Sequence, residues 1–209
     1  MYETFEKLPG SKKEQILQVC IEEFAQNGYK NASTNTIVKR LGISKGVLFL
    51  YFKNKRNLYL YLVEYLTIIL VDDFFKQFPP QGPGISIDVF DSLGEYYKVM
   101  IQEKPDYFLF MLGAFMNPPE DLKSDVEERH NNAHDTILNN LNSEGFRKGV
   151  DLPMLVNLLH LVSFFVGQMI LKEYKGGNDW VEDIKEHIEH YAEIYTKYVD
   201  IIKYGVYER

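Results

Sequence analysis

Ser33 to Lys55 reads STNTIVKRLGISKGVLFLYFKNK, and its periodicity is that of two short helices with a tight break between them. Ile37, Val38 and Leu41 recur at helical spacing behind two cap candidates, Ser33 and Thr34. Gly42 stops that helix, because only glycine turns the chain with positive φ at little steric cost. Ile43 gives an apolar plug, and Ser44 can cap a second helix from roughly Lys45 to Phe52. Two helices joined by a short glycine turn form a helix-turn-helix, the unit whose second helix lies in the DNA major groove.

Immediately upstream, Ile16, Cys20 and Phe24 repeat every four residues with Val19 and Ile21 beside them, which predicts a helix with one apolar face from Lys12 to about Asn27. Asn27-Gly28 should end it with a left-handed cap. This helix supports the helix-turn-helix from behind and makes a three-helix head over residues 1–54, with residues 1–10 as a loose arm. Cys20 is the only cysteine, so no intrachain disulfide exists, and its place on the apolar face marks it as core filler.

The segment GISKGVLFLYFKNKRNLY, residues 42–59, resembles the signature of the TetR family of bacterial transcriptional regulators. The likeness spans about Lys12 to Leu58, with Gly42, Ser44-Lys45-Gly46, Tyr51-Phe52 and Lys55 in register. Phe49 stands where the family often has tyrosine, and Leu50 where it often has a polar residue such as histidine. Ser33 or Thr34 can present the first amides of its helix to a phosphate. Ser44 caps the recognition helix, Lys45 and Val47 lie early on it within reach of base edges, and Gly46 lets the backbone come close to the duplex. Leu50 should project near the bases, where apolar contact with thymine methyls suits it. Tyr51 can send its hydroxyl to a phosphate, as the matching family tyrosine does. Lys53 and Lys55 are phosphate contacts by charge. Each lysine alone would read as a solvated surface charge; in this register they read as a set. Phe49 and Phe52 are expected to pack the core of the head.

The net charge of −7 alone argues against nucleic acid, but its distribution does not. Residues 1–56 hold ten Lys/Arg against five Asp/Glu, a net of +5, whereas residues 57–209 hold thirteen against twenty-five, a net of −12. A basic head on an acidic body is the electrostatic footprint of a DNA-binding domain carried by a partner domain. The opening MYETFEKLPGSKK lacks the apolar run of a signal peptide, and a cytoplasmic location is expected. Met154 to Leu171, MLVNLLHLVSFFVGQMIL, is long enough to span a membrane, yet Asn157, His160, Ser163 and Gln168 interrupt it. A buried helix and no membrane contact are expected.

Residues 55–209 read as helices throughout, giving an all-α chain: a helix-turn-helix head and a larger helical body for effector binding and dimerisation. A long helix should run from Lys55 to about Phe78, apolar on more than one side, as the mechanical link from head to body. Further helices are expected over about 86–103, 106–116, 120–143, 154–171 and 179–203, with Asp151-Leu152-Pro153 opening the fourth. They are separated by PPQGPG at 79–84, Pro105, Asn117-Pro118-Pro119, Gly145 and Gly176-Gly177. The family resemblance implies a small-molecule pocket in the body. Tyr107, Phe108, Met111 and Phe115 are the first choice for its lining, with Tyr97, Met100 and His134 behind them, and they suit a small apolar or aromatic effector. Plain core packing is the rival role for each of these.

Asn157, His160, Ser163 and Gly167 share a helix face. They either line the cavity or sit at a dimer seam, and the family's mode of dimerisation favours a seam. That seam would hold Leu161 and Phe164 beside Asn157, His160 and Gly167, with Ile188 and Tyr195 from the last helix. His130 and His134 with Glu127, and His187 and His190 with Glu186 and Glu193, have spacings able to hold a metal, but solvated helix faces are expected there. No metal or cofactor is expected. No nucleophile motif, phosphate-binding glycine loop or HExxH occurs, so no enzymatic activity is expected.

The expectation is a ligand-responsive transcriptional repressor that binds a near-palindromic double-stranded operator as a homodimer. Its two recognition helices would enter major grooves about 34–36 Å apart. Rival expectations are a regulator whose body binds a protein partner or a metal, a regulator that activates transcription, and a helical enzyme for which no catalytic residues can be named.

Overall fold

The helices form where their end signals lie. The computed structural model describes residues 2–79, 84–85, 87–144, 146–173 and 180–205. Among them it shows α1 (Glu3–Glu6), α2 (Gly10–Asn31), α3 (Thr34–Leu41), α4 (Lys45–Phe52), α5 (Lys55–Gln77), α6 (Asp91–Glu103), α7 (Pro105–Met116), α8 (Lys123–Asn140), α9 (Leu152–Glu173) and α10 (Trp180–Tyr204). Short 3-10 turns, Ile87–Phe90 and Glu120–Leu122, precede α6 and α8. The fold is all-α. Among the described residues the only β-pairing is an isolated parallel bridge between Ile85 and Leu141. Gly84 leads into that bridge at φ +95, and a Cβ there would lie 2.7 Å from the Asn140 carbonyl oxygen, so only glycine fits.

The chain divides into two compact units. The first comprises Met1–Thr67 and Asp106–Arg129; the second comprises Ile68–Pro105 and His130–Arg209. Residues 54 and 55, the expected junction of head and body, both lie within the first unit. Most of the PPQGPG loop, Gly145 and the Gly176-Gly177 break fall outside the described residues, as do the expected cap residues Asn178 and Asp179.

In the first unit α2 packs on α3, α3 on α4, and α1 on α4. Its core includes Ile16, Leu17, Cys20, Ile21 and Phe24 from α2 with Ile37, Leu41, Leu48 and Phe52. Cys20 is core filler, as its apolar neighbours predict, and burial pushes its thiol up to about 12. The amino-terminal segment is not a loose arm. Phe5 is fully buried, with its ring 4.7 Å from Phe52 and 5.4 Å from Tyr61, and the Tyr61 hydroxyl donates to Glu6 Oε1 at 2.6 Å. Burying one aromatic side chain is worth roughly 1.5–3 kcal/mol, which is enough to hold a four-residue helix that could not persist alone.

The helical run of α2 breaks at Gly28, as expected, with positive φ (φ 65, ψ 169), and one further short turn to Asn31 follows. α7 also belongs to the first unit: the Phe110 ring lies 5.2 Å from Tyr59 and 6.3 Å from Phe24.

In the second unit α10 packs on α6 and α9. Lys203 near the end of α10 pairs with Asp88 at 2.7 Å and Asp91 at 2.6 Å. Asp151 caps α9, its Oδ1 accepting the Met154 amide at 2.9 Å. The sequence predicts a buried α9, and only one face of it is buried. Val156, Leu159, Val162, Val166 and Ile170 point inward, while Met154, Leu158, Leu161, Phe164 and Phe165 are exposed. Among the described residues α9 is the one helix long and apolar enough to cross a membrane.

Candidate nucleic-acid interface

The helix-turn-helix is assembled by three local devices. Ser33 takes an extended conformation, and its Oγ accepts the Thr36 amide at 3.4 Å, which caps α3. At the other end Gly42 turns left-handed at φ 64 and ψ 28. Its amide donates to Lys39 O at 3.3 Å while that of Ile43 donates to Val38 O at 3.1 Å, the bond pair of a Schellman motif. Ser44 then caps α4, its Oγ accepting the Val47 amide at 3.3 Å. All three signals are legible in the sequence.

α4 has two contrasting faces. Leu48 and Phe52 are fully buried, whereas Leu50 is 64% exposed. Ser44, Lys45, Gly46 and Lys53 are exposed beside it, and Thr34, Val47, Phe49 and Tyr51 are half-buried. Lys45 Nζ donates to Asn35 Oδ1 of α3 at 3.2 Å and lies 5.6 Å from the Phe49 ring centre. A Cβ at Gly46 would meet only Ser44 Oγ, at an ordinary 3.7 Å, so nothing within the protein requires glycine there. The Tyr51 ring leans on Phe5 at 5.8 Å, so α1 buttresses the end of the recognition helix. Lys53 adopts φ 62 and ψ −49, and the Asn54 amide donates to Phe52 O at 2.8 Å, a tight and strained γ-turn that separates α4 from α5.

Lys55 has partners inside the head. Its Nζ donates to Lys30 O at 3.2 Å and lies 5.1 Å from the Tyr29 ring centre. Burial lowers its pKa, with the Glu23 charge opposing. Three polar features of this unit escape a reading of the sequence: Asn35, the Glu22–Arg40 ion pair, and Glu23, whose Oε1 accepts the Ser33 amide at 2.8 Å. Their partners lie ten or more positions away, beyond the reach of local periodicity.

The body residues sort differently from their sequence order. Within the second unit a small cavity of ≈ 10 Å³, room for about one water, is lined by residues of α6, α9 and α10, including Tyr97, Val166, Tyr191 and Tyr195. Burial pushes the Tyr97 hydroxyl up to about 12 and raises those of Tyr191 and Tyr195 as well. Of the residues expected to line a pocket, only Tyr97 does so here. Met100 is buried in the second unit, whereas Tyr107, Phe108, Met111 and Phe115 belong to the first unit. The His134 side chain lies outside the described residues.

Of the residues expected at a seam, Ile188 and Tyr195 line this cavity, and Gly167 is buried. Asn157, Leu161 and Phe164 are exposed on α9, and His160 is half-buried, its ring 5.0 Å from that of His130. His187 and His190 lie on an exposed face of α10. Among the described residues no group of three or more His, Cys, Asp or Glu is gathered in a way that could hold a metal.

This geometry is that of a helix-turn-helix DNA-binding domain. Residues 16–62 match the family model for bacterial regulatory proteins of the tetR family. The regulator QacR of Staphylococcus aureus is 45% identical over 52 residues, 25% of this chain and 28% of QacR. The fatty acid metabolism regulator protein of Bacillus subtilis is 37% identical over 50 residues, 24% of this chain and 26% of that protein. These matches span about a quarter of each relative's length. Along nearly the whole chain the fold is similar to that of the transcriptional regulator FadR from Bacillus subtilis, solved in complex with stearoyl-CoA. The TM-score is 0.65 at 14% identity, covering 93% of this chain and 99% of that one. Residues 16–62 thus resemble the DNA-binding segment of tetR-family regulatory proteins, and the chain as a whole has the all-α fold of a solved transcriptional regulator.

Proposed function

We propose that the protein is a ligand-responsive transcriptional repressor that binds a near-palindromic operator as a homodimer, in the cytoplasm. The observation that carries this is the doubly capped helix-turn-helix, which leaves Lys45, Gly46 and Leu50 outward on a basic head. Residues 1–54 supply the DNA contacts, namely Ser33 and Thr34 at the start of α3 and Ser44 to Lys53 around α4. Residues 55–209 supply effector binding and dimerisation. Dimerisation is supported by the uncovered apolar row on α9, Met154, Leu158, Leu161, Phe164 and Phe165, which is too large to stand in water without cost. A second copy covers that row by symmetry and sets two α4 helices on successive major grooves.

Regulation follows as a population shift, in which an effector that prefers one conformation weakens DNA binding by its differential affinity. The aromatic body suits a small apolar or aromatic effector, and a protein of the same fold binds stearoyl-CoA. α7 shares a unit with the DNA-binding helices and, with α5, is the element through which the change would reach them. No enzymatic activity is proposed.

The size of the second-unit cavity favours one alternative. With only ≈ 10 Å³ of room for a water-sized sphere it holds no more than about one water, which suits a body that answers to a protein partner instead.

Selection of bound sequences from a random duplex pool at physiological salt tests the proposal. A palindrome with two half-sites is the expected outcome. A single half-site removes the homodimeric mode, and no enrichment removes operator recognition by the free protein.

A further inference from the structure

Glu23 on α2 is only 6% exposed, and it is the one charged residue buried to that degree among the described residues. A buried carboxylate is costly unless hydrogen bonds and positive charge meet it. Its Oε1 accepts the backbone amide of Ser33 at 2.8 Å, and Ser33 is the residue that caps α3.

The arrangement completes a familiar device from an unusual source. In a capping box the cap side chain takes the amide three residues on, and an acidic or amide residue at that position returns to the cap amide. Ser33 performs the first half, taking the Thr36 amide. Thr36 has no carboxylate for the second half, and Glu23 provides it from a different helix. The positive end of α3 supplies part of the countercharge. Lys55 supplies more: it binds the Lys30 carbonyl in the last turn of α2, and the Glu23 charge favours its protonated form. With the Ser33 and Thr36 amides both engaged, the first-turn amides left for an outside acceptor are those of Thr34 and Asn35.

We infer that Glu23 is a positioning residue for DNA binding. Its carboxylate pins the start of α3, so that the Thr34 and Asn35 amides and, through the Gly42 turn, the outward face of α4 meet the duplex in one pose. An apolar residue of the same size would fill the space but leave the half-buried Ser33 amide without its acceptor. The inference rests on the helix-turn-helix being the DNA-contacting element.

The test uses the full-length protein as Glu23→Gln, Glu23→Met and Glu23→Asp. Each is measured for thermal unfolding, affinity for the selected duplex and for random duplex, and hydrogen exchange at the Ser33 and Ile21 amides. Gln keeps both reach and acceptor and should stay within about threefold of wild type in affinity and in Ser33 exchange. Met keeps bulk without an acceptor. It should lose about tenfold or more in affinity and speed Ser33 exchange by a similar factor, with Ile21 exchange unchanged. Met binding like wild type, or Gln losing as much as Met, overturns the inference. Should Met fail to fold, Asp decides: it keeps the charge and withdraws the acceptor by one methylene, so it should bind more weakly than Gln. Asp matching wild type while Gln fails overturns positioning through this bond. Wild-type protein that enriches no duplex takes down the DNA-binding reading and this inference together. Wild-type binding with an unimpaired Met variant takes down the inference alone.

Discussion

Leu50 on α4 and Leu161 on α9 are almost equally exposed, at 64% and 63%, yet they need opposite explanations. Leu50 stands among Ser44, Lys45, Gly46 and Lys53, so it is a lone apolar side chain on a polar, basic surface, and such residues are tolerated in water. Leu161 belongs to a row, with Leu158 before it and Phe164 and Phe165 after it, and a contiguous row calls for a cover. Exposure alone does not separate the base-reading role proposed for Leu50 from the seam proposed for Leu161. The neighbours one helical turn away do.

The sharpest way to break that contrast is Leu161→Glu. A carboxylate trapped in a closed seam should cost the dimer about 3 kcal/mol or more. Leu161 is exposed within the protomer, so any fall in unfolding temperature should come from lost association and shrink as the protein is diluted. Sedimentation reads the outcome, and a persistent dimer would move the seam off α9.

Gly46→Ala probes the other side. The free protein has room for the methyl and should gain up to about 1 kcal/mol from helix propensity. DNA affinity should fall by roughly tenfold if the backbone at Gly46 must approach the duplex, a loss of about 1.4 kcal/mol. Stability and affinity moving in opposite directions, by thermal unfolding and binding titration, is the expected signature; unchanged affinity would place the close approach elsewhere.

The smallest effects refine the Leu50 side. Tyr51→Phe should weaken binding to every sequence by about 1 kcal/mol, the net worth of one hydrogen bond to a phosphate. Leu50→Ala should instead change which base is preferred and leave the salt slope alone. An equal loss on random duplex for Leu50→Ala would end its role as a base contact.

Most of the first unit is legible in the sequence because its determinants are local. Ser33 and Ser44 cap helices that begin one residue later, and Gly42 closes the helix that ends beside it. What escapes depends on distant partners. The short α1 exists because Phe5 finds Phe52 and Tyr61, some fifty residues away. Glu23 finds Ser33 ten residues on, beyond the break at Gly28. The body is harder still. Periodicity shows that Ile188 and Tyr195 lie on apolar faces, but both a seam and a core wall have such faces. Contact with α6 decides between them, placing both residues around the second-unit cavity with Gly94 and Tyr97.

The burial of Cys20 has a practical consequence. Thiol-directed reagents attack the thiolate, and a buried thiol held up near 12 has almost none at neutral pH. The folded chain should therefore react only slowly with maleimides at neutral pH. A cysteine introduced at an exposed position beside the recognition helix, such as Lys53→Cys, would be a single address for a fluorophore or spin label, and Cys20 could stay in place.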